Sequence, residues 1–311
     1  MNTHHFRHHA RGDRSPPVGQ RPAFTILELL VAVAIVGTLV AILFPALMSA
    51  REAARCMQCK NNLREIGISM QQYHDVTKHF PQAWTLTTDK VTGYGWAVAL
   101  LPYLEESAVA RGINARLPVS TNQNGAARES DLAIMRCPSD ISEPSFDLLP
   151  ESPHSDALQA KSSASPSASG EPGAELPLVR LPAANYVGVY GTLEADETFP
   201  APHGDGTIVS DRSVRFTDLQ RGPSHTIIVG ERPTAMVPST WYGVNFRGED
   251  AACRLVGSAI TSPNCEPCDE CEFGSRHSGG SNFAWADGHV TLIESDVDRE
   301  EYQQLSKRRL H

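Results

Sequence analysis

The strongest structural signal in the chain is RPAFTILELLVAVAIVGTLVAILFPALM, residues 21–48. Within it, the 20 residues from Leu29 to Met48 carry no charge. At about 1.5 Å of rise per residue, a helix of this length crosses the roughly 30 Å hydrocarbon core of a bilayer. The sequence therefore predicts a transmembrane helix. Glu28, at its apolar start, needs a partner there because an isolated carboxylate in a membrane is costly.

Charges are distributed unevenly around this segment. The chain has a net charge of −9, whereas its first 23 residues have a net charge of +3, from four arginines and Asp13. Arg-rich flanks stay in the cytoplasm, so the acidic remainder is expected on the other side of the membrane. The acidic remainder also argues against a nucleic-acid partner, since phosphate binding depends on clustered Lys and Arg.

The residues around Glu28 resemble the processing site of type IV prepilins and pseudopilins, in which a basic and a small residue precede F-T-x-x-E-L-L. The resemblance implies that a prepilin peptidase cleaves between Ala23 and Phe24 and that the new N-terminus is methylated. Glu28 can then neutralise the α-ammonium group of Phe24 in its own or a neighbouring chain. Ala23 stands where the family usually has Gly. An ordinary secretory signal peptide is the alternative, but its cleavage site follows a shorter apolar core.

The same resemblance implies a domain organisation and a compartment. Residues 1–23 are the leader, 24–48 the transmembrane helix, 49–78 its amphipathic continuation, and 79–311 an extracytoplasmic globular head. The protein is expected to be a single-pass protein of the bacterial inner membrane with its head in the periplasm. Its implied partners are the prepilin peptidase, membrane lipid and other pilin-like subunits, with self-assembly among them.

Beyond the membrane segment, apolar residues recur at alternating steps of three and four, which indicates one stripe of an amphipathic helix. These residues are Cys56, Cys59, Leu63, Ile66, Met70 and Tyr73. Short β-prone runs separated by Gly and Pro follow, and they predict a mostly antiparallel sheet packed on the helix. Residues 151–177 are rich in Ser, Ala, Pro and Gly and are interpreted as a flexible insertion. The predicted fold class is α+β, with the lollipop shape of a pilin.

Near the C-terminus, Asp287-Gly288 lies between two β-prone runs and is a signature of a two-residue type I′ hairpin. Pairing across such a turn sets Trp285 opposite Val290. This register places apolar side chains on one face of the hairpin.

Several segments resemble the DUF1559 family of prepilin-type proteins, whose C-terminal signature is H-X9-DG. His277, nine intervening residues and Asp287-Gly288 reproduce that signature. Further matching stretches are REAAR at 51–55, NNLREIG at 61–67, LPYLE at 101–105, CPSD at 137–140 and VGER at 229–232. The resemblance implies a pseudopilin-like subunit of a type II secretion or type IV pilus-like assembly. The alternative is an exported, membrane-anchored binding module that uses the prepilin route only for export.

Enzyme motifs are absent from the sequence: there is no G-x-S-x-G, phosphate loop, H-E-x-x-H or dinucleotide fingerprint. His277 and Asp287 are interpreted as structural, with His277 bonding loop backbone or Asp287, and not as an acid/base or metal pair. We therefore expect no enzymatic activity and no cofactor.

Calcium is the metal that the resemblance to pseudopilins allows near the C-terminus. The oxygens on offer there belong to Asp287, Glu294, Asp296 and Asp298. Calcium needs six to eight oxygens at one point, and no EF-hand loop is present. No metal site is therefore predicted, and calcium at these carboxylates is the alternative.

Four of the seven cysteines lie close together in the sequence, at Cys253, Cys265, Cys268 and Cys271. The spacing of Cys265, Cys268 and Cys271 is compatible with structural zinc, for which Cys253 or His277 would be the fourth ligand. An extracytoplasmic compartment favours disulfides within this loop instead.

Two other cysteines, Cys59 on the helix stripe and Cys137 in the CPSD segment, are predicted to form a bridge that pins the helix to the head. The alternative is that the helix cysteines are small buried apolar residues.

Overall fold

The computed structural model describes residues 25–151 and 176–309. They fall into two compact units, one that ends at Ala50 and one that begins at Arg51. The leader with Ala23 and Phe24, and nearly all of the insertion predicted at 151–177, lie outside the described residues.

The first unit consists of the N-terminal part of helix α1, which runs over Ile26–Thr77. Every described residue before Arg51 is exposed, including large apolar side chains such as Ile42 and Phe44. This helix is long and apolar enough to cross a membrane, and no other helix in the described part of the chain meets that test. The prediction of a long apolar N-terminal helix is confirmed.

Helix α1 begins with a reciprocal cap. Glu28 Oε2 accepts hydrogen bonds from the backbone N–H and the hydroxyl of Thr25, at 2.9 and 2.8 Å. In return, Thr25 Oγ1 accepts one from the backbone N–H of Glu28 at 3.2 Å. Thr25-x-x-Glu28 is thus a capping box, which satisfies backbone donors that the first helical turn leaves unpaired. The sequence interpretation had assigned Glu28 only to the ammonium group of Phe24.

The C-terminal part of α1 belongs to the second unit and carries the predicted apolar stripe. Cys59, Leu63, Ile66 and Met70 are all fully buried, which confirms the helical spacing. Cys56 and Tyr73, at the two ends of the stripe, are half-buried.

In its described residues, the second unit also contains ten strands and three short α-helices. The strands are β1 Trp84–Leu86, β2 Thr92–Gly95, β3 Ser145–Leu148, β4 Val179–Pro182, β5 Tyr186–Gly191, β6 Ile227–Glu231, β7 Gly243–Asn245, β8 Val256–Ser258, β9 Gly280–Trp285 and β10 Val290–Glu294. The helices are α2 Ser107–Arg111, α3 Gly125–Arg128 and α4 Arg299–Ser306, and a 3-10 helix spans Trp96–Tyr103.

These strands form three sheets. The largest has the order β10-β9-β6-β5-β8, and its pairs are antiparallel except for β5 with β8. The smaller sheets are β1-β2-β7 and β3-β4, both antiparallel. A long helix and a mostly antiparallel head confirm the α+β fold class.

The hairpin that joins β9 and β10 has a three-residue turn, so the predicted two-residue turn is wrong. Val290 lies opposite Ala284, one position away from the predicted partner Trp285. Trp285 instead closes the turn, because its backbone N–H donates to the backbone carbonyl of His289 at 2.9 Å. Gly288 has a φ of +89°, which suits the left-handed residue at the end of a three-residue hairpin loop. The additional turn residue shifts the register by one.

The five-stranded sheet is buried on both faces except at its edge strand β10. Ala284 of β9 belongs to the same apolar cluster as Leu63 and Met70 of α1. Its neighbour Phe283 belongs to a second cluster with Tyr302 of α4. Successive residues of a strand point to opposite faces, so β9 contacts both layers and is fully buried.

Candidate functional site: a buried thiol, imidazole and carboxylate cluster

Four side chains from distant parts of the sequence meet inside the second unit. Their ligand-type atoms all lie within 4.8 Å of one another, and each residue is buried. They form what we call the buried cluster: Cys59, Cys137, Glu231 and His277.

Each member of the cluster is positioned by a different element. Cys59 lies on the apolar stripe of α1, and Cys137 follows the 3-10 turn Ala133–Met135. Glu231 is the last residue of β6, and His277 lies in the loop that enters β9. Because β6 and β9 are paired in the sheet, the end of one strand comes close to the start of the other.

The distances inside the cluster are short. The two Sγ atoms of Cys59 and Cys137 are 2.7 Å apart, and the structure leaves both as unbonded thiols. His277 Nε2 lies 3.4 Å from Cys137 Sγ and 3.7 Å from Glu231 Oε1. The predicted bridge therefore has its two cysteines adjacent, without a bond between them.

His277 is oriented by Glu52, which lies on α1 in the REAAR stretch. Nδ1 of the ring donates to Glu52 Oε1 at 2.8 Å, so Nε2 faces the cluster. Ser139, in the CPSD stretch, also donates to Glu52 from its hydroxyl, at 2.9 Å. Burial by itself lowers the pKa of His277, but the Cys137 sulfur and the Glu231 and Glu52 carboxylates together raise it to about 9.

Glu231 is a carboxylate with almost no exposure to solvent, at 2%. Asn282, the third residue of β9, donates to it from its backbone N–H at 2.9 Å and from Nδ2 at 3.0 and 3.1 Å. Burial raises the pKa of Glu231, and the Asn282 donors and His277 oppose that rise. The nearest cationic group that pairs with Glu231 is the His277 ring.

The two thiols differ in acidity because one donates a hydrogen bond to the other. Cys59 donates its S–H to Cys137, and this bond and His277 together lower the pKa of Cys137 to about 5, against the effect of burial. The same hydrogen bond, together with burial, raises the pKa of Cys59. These directions favour a thiolate on Cys137 beside a protonated His277.

The CPSD loop that carries Cys137 is held firmly. Asn185 accepts the backbone N–H of Cys137 at 2.8 Å and donates to Asp140 Oδ2 at 2.6 Å. Asp140 also pairs with Arg276, the residue before His277, at 2.9 Å. A small cleft lined by Cys137, Asp140, Glu231 and Arg276, among others, lies beside the cluster.

Both ends of the H-X9-DG stretch contact α1. At one end, His277 bonds Glu52. At the other, a Cβ on Gly67 would lie 3.3 Å from Gly288 Cα, and Gln71 donates to the carbonyl of Ala286 at 3.4 Å. The motif therefore fixes strand β9 along the helix.

This arrangement corrects the sequence interpretation of the motif. His277 bonds neither Asp287 nor loop backbone through its ring, because β9 separates the two residues. Asp287 Oδ1 instead accepts from His289, at 3.1 Å from its backbone N–H and 2.5 Å from its ring Nδ1.

The remaining candidate residues lie elsewhere. The structure pairs Cys253 with Cys271 and Cys265 with Cys268 as disulfides. A zinc site would require the four sulfurs to converge on one point. Among the described residues, they do not.

The carboxylates proposed as calcium ligands do not form a group of three in the part of the chain that the structure describes. Asp298, one of them, caps α4 by accepting the N–H of Glu301 at 3.0 Å.

Sequence reasoning missed two members of the site, Glu52 and Glu231. Both lie in stretches that carry the family resemblance, REAAR and VGER, and those stretches were the only signal available. Their convergence depends on which strands pair and where α1 crosses them.

Comparison with known proteins identifies one family. The model of the family described as Protein of unknown function (DUF1559) matches residues 48–300, which include the whole buried cluster and Glu52. No curated protein and no solved structure gives a significant match. Because the match covers most of the chain, the protein belongs to the DUF1559 family.

Proposed function

We propose that the protein is a pseudopilin-like subunit of a type II secretion or type IV pilus-like assembly, with its head on the extracytoplasmic side of the bacterial inner membrane. Its family and its exposed apolar helix fit a membrane-anchored, pilin-like protein. Beyond that description, we propose that the chain is processed as a prepilin, that its head is extracytoplasmic and that it joins a secretion or pilus-like assembly.

One observation carries the proposal: the apolar part of α1 begins with a carboxylate that its own helix satisfies only in part. All the hydrogen bonds that Glu28 accepts from described residues go to Oε2, from Thr25. Oε1 is left for a partner beyond them. In a membrane, an ammonium group of the same or a neighbouring subunit supplies that partner and lowers the cost of the charge.

The experiment compares two Glu-to-Gln variants of the full chain in membranes. Gln also completes a capping box, so Glu28→Gln keeps the helix start and removes only the charge. Glu65→Gln, on an exposed position of the same helix outside the membrane segment, is the matched control.

We expect Glu28→Gln to insert normally but to be cross-linked to other pilin-like subunits at least about tenfold less than wild type, as the loss of a buried charge pair implies. Glu65→Gln should match wild type. Equal cross-linking of all three chains would show an anchored monomer that uses the prepilin route only for export.

We also propose that the protein is not an enzyme. The thiolate and imidazole pair is the arrangement closest to a nucleophile with its base. Cys137 is only 7% exposed and His277 4%, and Cys59 and Glu231 lie next to them. This burial supports a structural role for the pair.

A further inference from the structure

We propose that the buried cluster is a binding site for one divalent transition-metal ion, and that Zn²⁺ fits it best. The ligands are two thiols, an imidazole and a carboxylate, supplied by Cys59, Cys137, His277 and Glu231. Zinc accepts this combination of sulfur, nitrogen and oxygen in tetrahedral sites, whereas calcium and magnesium take oxygen. The site is separate from the loop of cysteines at 253–271.

Of the three distances between ligand atoms given above, two match those around a tetrahedral zinc ion. With Zn–S of about 2.3 Å and Zn–N or Zn–O of about 2.0 to 2.1 Å, neighbouring ligand atoms lie about 3.3 to 3.8 Å apart. His277 Nε2 is 3.4 Å from Cys137 Sγ and 3.7 Å from Glu231 Oε1. The 2.7 Å between the two sulfurs would have to open by about 1 Å to reach the sulfur–sulfur distance around a tetrahedral zinc ion.

The groups behind the ligands are those that metal sites use. Glu52 accepts the Nδ1 proton of His277, so that when a metal ion displaces the Nε2 proton, the Nε2 lone pair is directed into the cluster. Such carboxylate, histidine and metal arrangements orient the ring and raise its affinity as a ligand. Asn282 holds Glu231 in the same way, by donating to both carboxylate oxygens.

A cation also explains the burial of Glu231. A carboxylate that is 2% exposed needs a compensating positive charge, and the imidazole of His277 is its one cationic partner among the described ion pairs. A divalent ion would offset two of the three negative charges that the carboxylate and the two thiolates carry. The ligands are separated by at least 46 residues along the chain, so the ion would tie α1 to three other segments of the head.

A disulfide between Cys59 and Cys137 is the competing occupant of this space. It needs the sulfurs at about 2.05 Å, and an extracytoplasmic compartment favours it. However, a disulfide accounts only for the two sulfurs. It leaves unexplained why a buried carboxylate and an oriented imidazole nitrogen point at the same place. The two states exclude each other, since a disulfide consumes both thiolates.

The test uses the full chain purified in detergent without air and with a non-thiol reductant, titrated with Co²⁺. We expect one Co²⁺ per chain, with the sulfur-to-cobalt charge-transfer absorption and visible bands of tetrahedral cobalt, and displacement by Zn²⁺. The signal should disappear in Cys59→Ser and His277→Ala. It should be unchanged in the double variant Cys265→Ser with Cys268→Ser, which removes two cysteines outside the cluster.

A gentler variant covers the case in which removal of a ligand prevents folding. Glu52 is partly exposed and touches the ring from outside, so Glu52→Gln should fold and bind Co²⁺ about 10- to 100-fold more weakly with the same spectrum. A reduced wild-type chain without the cobalt spectrum would overturn the proposal, as would a spectrum that survives in Cys59→Ser and His277→Ala. The proposal would also be overturned if the protein is isolated without metal and peptide mapping finds Cys59 joined to Cys137 by a disulfide.

Discussion

Gly288 is required at its position for two separate reasons. Its φ of +89° is one that residues with a Cβ rarely adopt, and a Cβ there would lie 2.8 Å from Gln71 Nε2 on α1. Gly279, at the other end of β9, has a similar φ of +91° but no atom within 4 Å of a Cβ position. A substitution at Gly279 therefore tests backbone strain alone, whereas one at Gly288 tests strain together with contact with the helix.

We expect Gly288→Ala to destabilise the protein more than Gly279→Ala. Both substitutions cost about 1 kcal/mol or more through the positive φ. In Gly288→Ala, the flexible end of the Gln71 side chain must also shift, which weakens its bond to the Ala286 carbonyl and adds a smaller cost. Thermal unfolding followed by tryptophan fluorescence should show the difference, at roughly 2 to 4 °C per kcal/mol.

Adding Gln71→Ala to Gly288→Ala should lower the Tm less than adding Gln71→Ala to Gly279→Ala, since the Gln71 bond to Ala286 is already weakened in Gly288→Ala. Equal losses of Tm in the two single variants would mean that the turn does not press on α1.

The members of the buried cluster show what a sequence can predict about a site. Cys59 was predicted to be buried from the helical stripe, and the CPSD, VGER and H-X9-DG stretches were all singled out. That Glu231 meets His277 depends on the pairing of β6 with β9, two strands about 50 residues apart. No local spacing encodes such a long-range contact.

At the level of elements, the cysteine loop is organised around one buried cation. The Arg232 side chain donates from Nε to the carbonyl of Glu272 at 2.8 Å, from Nη2 to that of Val256 at 3.1 Å, and also to the carbonyls of Cys253 and Cys271. Burial lowers the pKa of Arg232 to about 10. The Cys253–Cys271 disulfide therefore joins the two segments that surround this guanidinium.

The two disulfides should contribute unequally to stability. Cys253–Cys271 has a sequence separation of 18, whereas Cys265–Cys268 has a separation of 3. On loop-closure entropy alone, the first stabilises by about 3 kcal/mol and the second by about 1.5 kcal/mol. We expect the double serine variant of Cys253 and Cys271 to lose clearly more Tm than that of Cys265 and Cys268.

Peptide mapping without reduction gives the matching check on these disulfides. It should recover both pairs from wild type and one pair from each variant. Stoichiometric zinc bound to all four as thiolates would contradict the pairing.

Over the whole molecule, the sequence predicted the parts that depend on local periodicity and missed those that depend on tertiary contacts. A run of 20 uncharged residues and a stripe at steps of three and four suffice to predict α1. The hairpin register was wrong by one residue, because the choice between a two- and a three-residue turn lies in the conformation of Gly288 and its contact with α1. Both turns are compatible with Asp287-Gly288.

The processing of the complete chain provides the last prediction. If the prepilin peptidase acts on it, N-terminal sequencing of the membrane-bound form should begin at Phe24, with that residue methylated. Since the cut precedes the apolar segment, the mature chain keeps α1 and should stay in the membrane fraction after washing with high salt. Ala23→Gly, which restores the usual residue of the resemblance, should raise the processed fraction. Ala10→Gly, in the leader far from the junction, should leave it unchanged. A soluble mature chain that begins after Met48 would instead show a secretory signal peptide, because that route discards the apolar segment that the prepilin route retains.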